Sequence, residues 1–183
     1  MKGVAFRTIE LCFFELRGAD AREEARARMR PELANLYRDG LVLAATWYPI
    51  SWYRETFQAF RAATGEGNEL VRAIGKCAAR HDMSGVHKQL LAKIISPQML
   101  LAIAQRVFKT YYDTGTMEVV SSRRGFAHVR CVGCIGWDES MWVELAGSCE
   151  AQLELTGGKH VRLRILSGGG ESDTGVELEA HWV

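Results

Sequence analysis

The chain has 183 residues, of which 48% are hydrophobic and 25% are charged, and its formal net charge is +1. This length suits one domain, with or without two lobes, and is enough to bury a sizeable core. The composition is that of an ordinary globular protein. The near-zero net charge gives no electrostatic reason to expect nucleic acid or an anionic membrane as a partner.

The five cysteines are an odd number without the spacing of a disulfide framework. They predict reduced thiols in a cytoplasmic protein. Charged residues interrupt the first apolar residues, so no secretory signal is predicted there, and no apolar run is long enough to span a bilayer. The expected location is therefore the cytoplasm, without a membrane span.

Helical periodicity dominates the first part of the chain. A first helix is predicted from Lys2 to Arg17 and a second from Asp20 to about Arg30, with Gly18 between them. Pro31 interrupts this pattern, and Glu32 to Asp39 predicts one or two further helical turns. Leu41 to Thr46 fits either a buried turn of helix or an extended segment.

Further helices are predicted from Trp52 to Ala63 and after an N-cap at Asn68. Gly75 lies inside the second of these, where a residue without a side chain allows a neighbouring helix to come close. The segment His81 to Gly85 predicts a turn, and Val86 to Ile95 predicts another helix.

The chain changes character between Ser96 and Ser122. Ser96 is a good N-cap, and Pro97 suits the first position of a helix that runs to Tyr112. Gly115 then supplies the left-handed conformation that helix ends commonly need. Alternating apolar and polar residues, which are typical of strands, follow this point.

The second part of the chain predicts two strands, a helix with Asp138 as its N-cap, and two more strands. In order, these elements are Met117 to Ser122, Gly125 to Gly133, Trp137 to Thr156, Lys159 to Ser167 and Val176 to Trp182. The predicted fold class is α+β, as one domain over residues 1–183. A helical half (1–112) packs against a β-β-α-β-β half (113–183) with a four-stranded antiparallel sheet crossed by its helix.

No complete catalytic or metal motif is present, so an enzyme is not predicted. Cys131 and Cys134 have the spacing of a zinc-binding pair, but no second close pair follows them, and Cys131 fits the alternation of a buried strand. His81 and His87 flank Asp82 and could ligate a metal or serve acid–base chemistry, although surface positions suit them better. No triad, HExxH spacing or phosphate-binding loop can be assembled.

Aromatic residues are unusually dense in two places, around residues 47–60 and 108–112. Such residues can line an apolar ligand pocket between helices, or they can be ordinary core. The predicted lining of such a pocket is Trp47, Tyr48, Trp52, Phe57, Met99, Phe108 and Tyr112.

These features resemble an uncharacterised bacterial family with the layout of three known groups. The residues that carry the resemblance are the opening residues 1–6, Trp47-Tyr48-Pro49, Ser96-Pro97, residues 111–115 and Leu155-Thr-Gly-Gly158 before the third strand. The three groups are the heme-nitric-oxide-binding (H-NOX) domains, the vinyl-reductase-type effector domains and the TRAPP trafficking subunits. The resemblance spans nearly the whole chain and implies their fold.

The sequence departs from these groups where they bind cofactors. H-NOX domains hold heme with a histidine on the helix before the sheet and with a Tyr-x-Ser-x-Arg segment. The corresponding helix, Pro97 to Tyr112, has no histidine, and the hairpin Met117 to Cys134 lacks that segment. The last hairpin, Ser167 to Gly175, lacks the cysteine pair with which vinyl-reductase-type domains bind zinc. The expectation is therefore no cofactor, neither heme nor zinc.

The expected function is a non-enzymatic sensory or regulatory module. It would bind a small apolar ligand or an acyl chain between the helices and the sheet, and occupancy would shift one half relative to the other. The alternative is a structural interaction module without a ligand, which dimerises through its helices as trafficking subunits do or binds a protein partner.

Overall fold

The computed structural model describes residues 1–84 and 96–183, and its helices precede its sheet as predicted. The elements in chain order are α1 (Gly3–Ala27), α2 (Pro31–Arg38), α3 (Ile50–Thr64), α4 (Asn68–Ser84), α5 (Pro97–Tyr111), β1 (Thr116–Arg123), β2 (Phe126–Val132), α6 (Glu139–Leu155), β3 (Arg162–Gly168) and β4 (Val176–His181). The predicted α+β class, with a helical half before an antiparallel sheet, is confirmed.

Helix α1 contains a break at the predicted position. Gly18 has φ 83° and ψ −176°, a backbone conformation that is open to glycine and strained for other residues. The two predicted helices are thus the two arms of α1. Ala5, Ile9 and Phe13 are buried along its first arm.

Several predicted boundaries need correction, and β3, for example, begins at Arg162 and not at Lys159. Helix α3 begins at Ile50, directly after Pro49, and not at Trp52. The turn predicted at His81 to Gly85 is wrong for its first four residues, because α4 continues through Ser84. The helix predicted from Val86 to Ile95 lies outside the described residues.

The predicted caps of α5 and α6 are confirmed. The backbone N–H of Met99 donates to Ser96 Oγ at 3.3 Å, and that of Met141 donates to Asp138 Oδ1 at 3.0 Å. Each cap satisfies one of the N–H groups that a helix start leaves without a partner. These caps fix where the two helices that flank the sheet begin.

The sheet has the strand order β1-β2-β4-β3, and all neighbouring strands are antiparallel. Val129 pairs with Leu178 and Ala127 with Ala180, so these apolar residues share the face turned to the helices. The other face carries charged pairs, for example Arg130 Nε to Glu177 Oε1 at 3.0 Å. One dry and one wet face is the arrangement that the alternation predicted.

Helices α4 and α6 pack unusually close together. A Cβ atom on Gly75 would collide with the carbonyl oxygen of Glu144, and one on Gly147 would collide with that of Arg72. Ser148 Oγ also donates to the Gly75 carbonyl oxygen at 3.0 Å. The predicted role of Gly75, a close approach of a second helix, is confirmed.

Helix α6 is the central element of the molecule. Eleven of its residues are buried, including Met141, Trp142 and Leu145. Its contacts reach α3, α4 and α5 as well as β3 and β4. None of the helices in the described ranges is long and apolar enough to cross a membrane.

Candidate ligand-binding cavity

A cavity lies between the helices and the inner face of the sheet. Helices α1, α4, α5 and α6 contribute Ile9, Ala78, Leu100 and Leu145 among others, and the sheet contributes residues such as Leu178. The lining is predominantly apolar, and the two faces that form it are the dry sides of helices and sheet. This is the place where the sequence predicted a ligand.

The cavity offers about 100 Å³ to the centres of water-sized molecules. One water needs only ~10–15 Å³ on this measure, whereas sites for drug-sized ligands have ~300–1,000 Å³. The space is therefore larger than a packing defect and smaller than the several hundred Å³ that a long ligand requires. It suits a compact molecule of about one ring.

Two carboxylates, Asp82 and Glu144, interrupt the apolar lining. Glu144 on α6 is 5% exposed, and its Oε1 lies 2.9 Å from Ser148 Oγ, one helical turn further on, whose single hydroxyl hydrogen is shared between this oxygen and the Gly75 carbonyl oxygen. No described residue donates a hydrogen bond to Glu144 Oε2. The Tyr112 hydroxyl lies close enough to favour the charged form of Glu144 but is not placed to donate to Oε2.

Burial governs the charge of Glu144. Loss of hydration raises its pKa from 4.5 to about 7, the negative charge of Asp82 adds to this rise, and the contact with Ser148 opposes it. A buried carboxyl group with one unused oxygen is costly unless a partner arrives. Glu144 can therefore accept a hydrogen bond from a ligand, or donate one when it is protonated.

Tyrosine hydroxyls also line the cavity. The Tyr111 hydroxyl donates to Asp82 Oδ2 at 2.8 Å, which links α5 to α4. Burial raises the pKa of Tyr53 and of Tyr112 well above 10, so both hydroxyls stay neutral. The cavity thus presents neutral hydroxyls and the carboxyl group of Glu144, whose pKa burial raises to about 7.

The seven predicted ligand residues divide between two places. Phe108 and Tyr112 line the cavity, and their rings lie 4.5 Å apart. The described cavity lining does not include the other five residues, which are Trp47, Tyr48, Trp52, Phe57 and Met99. A ligand-binding role stays a prediction for all seven.

The remaining aromatic residues form a separate layer around α3. Phe57 is fully buried there against Tyr53, with ring centroids 5.2 Å apart, and Tyr48 lies 6.2 Å from Trp52. Trp47 is 43% exposed beneath the ammonium group of Lys2, and Met99 is 42% exposed on α5. The many aromatic residues in this part of the sequence therefore pack around α3 and do not line the described cavity.

No sequence motif pointed to Glu144. It occupies a position of α6 where the pattern is apolar on nearly every side, and single glutamates in helices are usually solvated. Leu145, the next residue, and Cys149, about one helical turn further on, both line the cavity. A glutamate directly beside this inward-facing row is the feature that could have pointed to a buried carboxyl group.

Known proteins match this chain in structure and not in sequence. No family model and no curated protein matches the sequence. An H-NOX protein from S. oneidensis solved in the Fe(II)NO ligation state shares 14% identity, with a TM-score of 0.77 over 100% of this chain and 99% of that one. An Fe(II) unliganded H-NOX mutant from K. algicida shares 17% identity, with a TM-score of 0.75 over 100% and 97%. The resemblance to H-NOX domains is thus confirmed as a resemblance of fold.

These structures correct one expectation. The differences from the H-NOX and vinyl-reductase-type sequences led us to expect no cofactor, neither heme nor zinc. One of the matching structures, however, covers 98% of this chain and is described as modulating heme redox potential through protein-induced porphyrin distortion. Another is an oxygen-binding H-NOX domain related to soluble guanylate cyclases. Missing motifs in a chain only 13–17% identical to these domains do not justify excluding a cofactor, and that prediction is wrong.

The described lining does not fit a porphyrin as it stands. Heme iron is held by histidine, cysteine, methionine or tyrosine; no described lining residue is a histidine, so the candidate ligands in the lining are its tyrosines, its methionines and Cys149. Burial raises the pKa of Cys149 to about 12, so its thiol is neutral. The open volume of about 100 Å³ is also smaller than a macrocycle needs. His87, one of the histidines considered in the sequence, lies outside the described residues.

Proposed function

We propose that this protein is a sensory or regulatory module whose cavity binds a compact, mostly apolar molecule that carries one hydrogen-bond donor. The observation that carries the proposal is an apolar cavity with one buried carboxylate oxygen, Glu144 Oε2, that accepts no hydrogen bond from a described residue. An apolar body gains free energy by leaving water, and a hydroxyl or N–H group satisfies the free oxygen.

The need for a hydrogen-bond donor narrows the class of ligand that the cavity can bind. Filling the cavity with a pure hydrocarbon leaves the Glu144 oxygen unpaired, which costs about 1–3 kcal/mol for a buried polar group. A phenol or a small aromatic N–H compound avoids that cost. A long acyl chain is a poorer fit, because the cavity volume of about 100 Å³ suits a single ring.

Helix α5 is the wall best suited to respond to a ligand. Only Pro97, Leu100 and Phe108 are buried among its 15 residues, whereas α6 has eleven buried residues. A ligand that packs against Leu100 and Phe108 would favour one position of α5, and it can shift the helix only by its difference in affinity for the two positions. The resulting shift in the position of α5 would be detectable at the exposed side of this helix.

Isothermal calorimetry with phenol and toluene tests the proposal. The two probes have nearly the same shape, and only phenol has a donor. We expect phenol to bind at least about tenfold more tightly, which corresponds to ~1.4 kcal/mol. Glu144→Leu should remove this preference. Glu154→Leu, on the exposed side of the same helix, should retain it.

A pair of alanines on α5 locates the binding site. Ala104 lines the cavity, while Ala102 is exposed on the same helix. Ala104→Phe should weaken phenol binding at least about tenfold, and Ala102→Phe should not change it. Equal binding by both variants, or no preference for phenol in the wild type, would contradict the proposal.

Hemin is the third probe in this experiment, because the structural matches include heme proteins. A one-to-one complex that Ala104→Phe abolishes would replace the compact ligand with a porphyrin in the same cavity.

A further inference from the structure

A second cluster of side chains lies where α1 and α4 meet. Cys12 and Glu15 are three residues apart on α1, and Cys77 and His81 are four apart on α4. Both spacings put the two side chains on one face of a helix. The two helices pack together, so the four ligand atoms lie within 4.8 Å of one another.

The distances inside the cluster are close to those of a metal site. His81 Nε2 lies 2.8 Å from Glu15 Oε2, and Cys77 Sγ lies 3.5 Å from the same oxygen. The ligands of tetrahedral zinc are separated by about 3.3–3.8 Å, as bond lengths of ~2.0–2.3 Å require. Small rotations of these side chains would bring the four atoms to that geometry.

We infer that Cys12, Glu15, Cys77 and His81 form a binding site for Zn²⁺. Two thiolates and an imidazole are the donors that Zn²⁺ prefers, and a carboxylate is an accepted fourth ligand. Calcium and magnesium, which take six or more oxygen ligands, are excluded by the single carboxylate. The four protein ligands leave no open position, so the site is structural in type.

Access and protonation are compatible with metal binding. Cys12 is fully buried, whereas a surface depression lined by Glu15, Cys77 and His81 opens to solvent and provides an entry path. Cysteine binds Zn²⁺ as a thiolate, so binding at Cys12 and Cys77 releases two protons to water. The affinity should therefore increase as the pH rises.

The site is separate from the ligand cavity but shares two of its walls. Ile9 on α1 and Ala78 on α4 line the cavity, one helical turn or less from Cys12 and Cys77. A metal would therefore fix the spacing of α1 and α4. The inference does not depend on whether the cavity binds a ligand.

Titration of the reduced full-length chain with Co²⁺, followed by Zn²⁺, tests the site. Co²⁺ in a tetrahedral thiolate site gives a sulfur-to-metal band in the near ultraviolet and visible d–d bands. We expect both bands at one Co²⁺ per chain, and their loss when Zn²⁺ is added. Cys77→Ser and His81→Gln should each weaken binding by at least about tenfold, since even partners outside the ligand set contribute that much.

Two further variants keep the test independent of folding. Glu15→Gln replaces an exposed side chain and should weaken binding without loss of helical circular dichroism. Cys131→Ala removes a thiol from β2, outside the cluster, and should leave the titration unchanged. The inference is overturned if the wild type gives no bands, if the bands survive in Cys77→Ser, or if Cys131→Ala removes them.

Discussion

Glu144 is the residue on which the chemistry of the cavity depends. It is buried at 5% exposure, it has one hydrogen-bonded and one free carboxylate oxygen, and its pKa is raised to about 7 by burial. A structural carboxylate would be paired, as Glu150 is on the same helix: burial would raise its pKa, but hydrogen bonds from Arg72 and Lys76 outweigh this effect and lower it. The contrast between these two glutamates supports a ligand role for Glu144.

The raised pKa of Glu144 predicts a pH dependence of stability. The folded protein holds the proton up to about pH 7, whereas the unfolded chain releases it near pH 4.5. The free energy of unfolding should therefore fall as the pH rises from about 4.5 to 7, by up to about 3 kcal/mol at ~1.4 kcal/mol per pKa unit. Glu144→Gln, which stays neutral, should remove this fall.

Urea unfolding at pH 5 and at pH 8 measures the effect. Glu144→Gln should be more stable than the wild type at pH 8 and similar to it at pH 5. Glu154→Gln, an exposed position on the same helix, controls for the general effect of removing a charge. A variant that is equally stable to the wild type at both pH values would show that Glu144 titrates normally.

Among the helices, the contact of α4 with α6 is the one most sensitive to side-chain size. Gly75 and Gly147 each face a backbone carbonyl of the other helix, and no Cβ atom fits at either position. Glu144 and Ser148 both take part in this contact, since Ser148 Oγ joins the Glu144 carboxylate to the Gly75 carbonyl. The helix spacing and the position of the cavity carboxylate are therefore set together.

Gly75→Ala should separate the two helices and destabilise the protein by about 1–3 kcal/mol, the usual cost of overpacking. The backbone atoms involved cannot rotate away. Gly67→Ala is the matched control, because a Cβ there meets only the end of the Glu69 side chain at 3.5 Å. Thermal unfolding of both variants checks this, and a Gly75→Ala protein as stable as Gly67→Ala would contradict the proposed close contact.

The elements were largely predictable because their signals are local. The caps at Ser96 and Asp138 and the break at Gly18 each depend on one residue and its neighbours. The end of α4 was mispredicted because the segment His81-Asp82 resembles a turn when it is considered alone. Its packing on α1 and α6, and the bond from Tyr111 to Asp82, favour helix there instead.

For the molecule as a whole, the position of the cavity was predictable but most of its lining was not. The change from helices to strands indicated a layer between them, and Phe108 and Tyr112 lie there. The aromatic residues near Trp52 instead pack around α3, since aromatic side chains fill cores and pockets equally well. The burial of Glu144 and the cluster of Cys12, Glu15, Cys77 and His81 could not be predicted, because both depend on contacts between helices that are distant in the sequence.

Ligand binding should also be visible in the stability of the whole protein. Phenol at about 100 times its dissociation constant should raise the free energy of unfolding by ~2.7 kcal/mol, because it binds the folded state alone. The rise should be absent in Ala104→Phe and present in Ala102→Phe. An equal rise in both variants would indicate that phenol acts outside the cavity.

Native mass spectrometry of the protein purified from its own host tests the central claim most directly. The account predicts one noncovalently bound molecule of about one-ring size per chain, present in Ala102→Phe and lost in Ala104→Phe. The alternative, an interaction module without a ligand, predicts a bare chain or a dimer of bare chains. Finding only that bare mass in the wild type would contradict the proposed function.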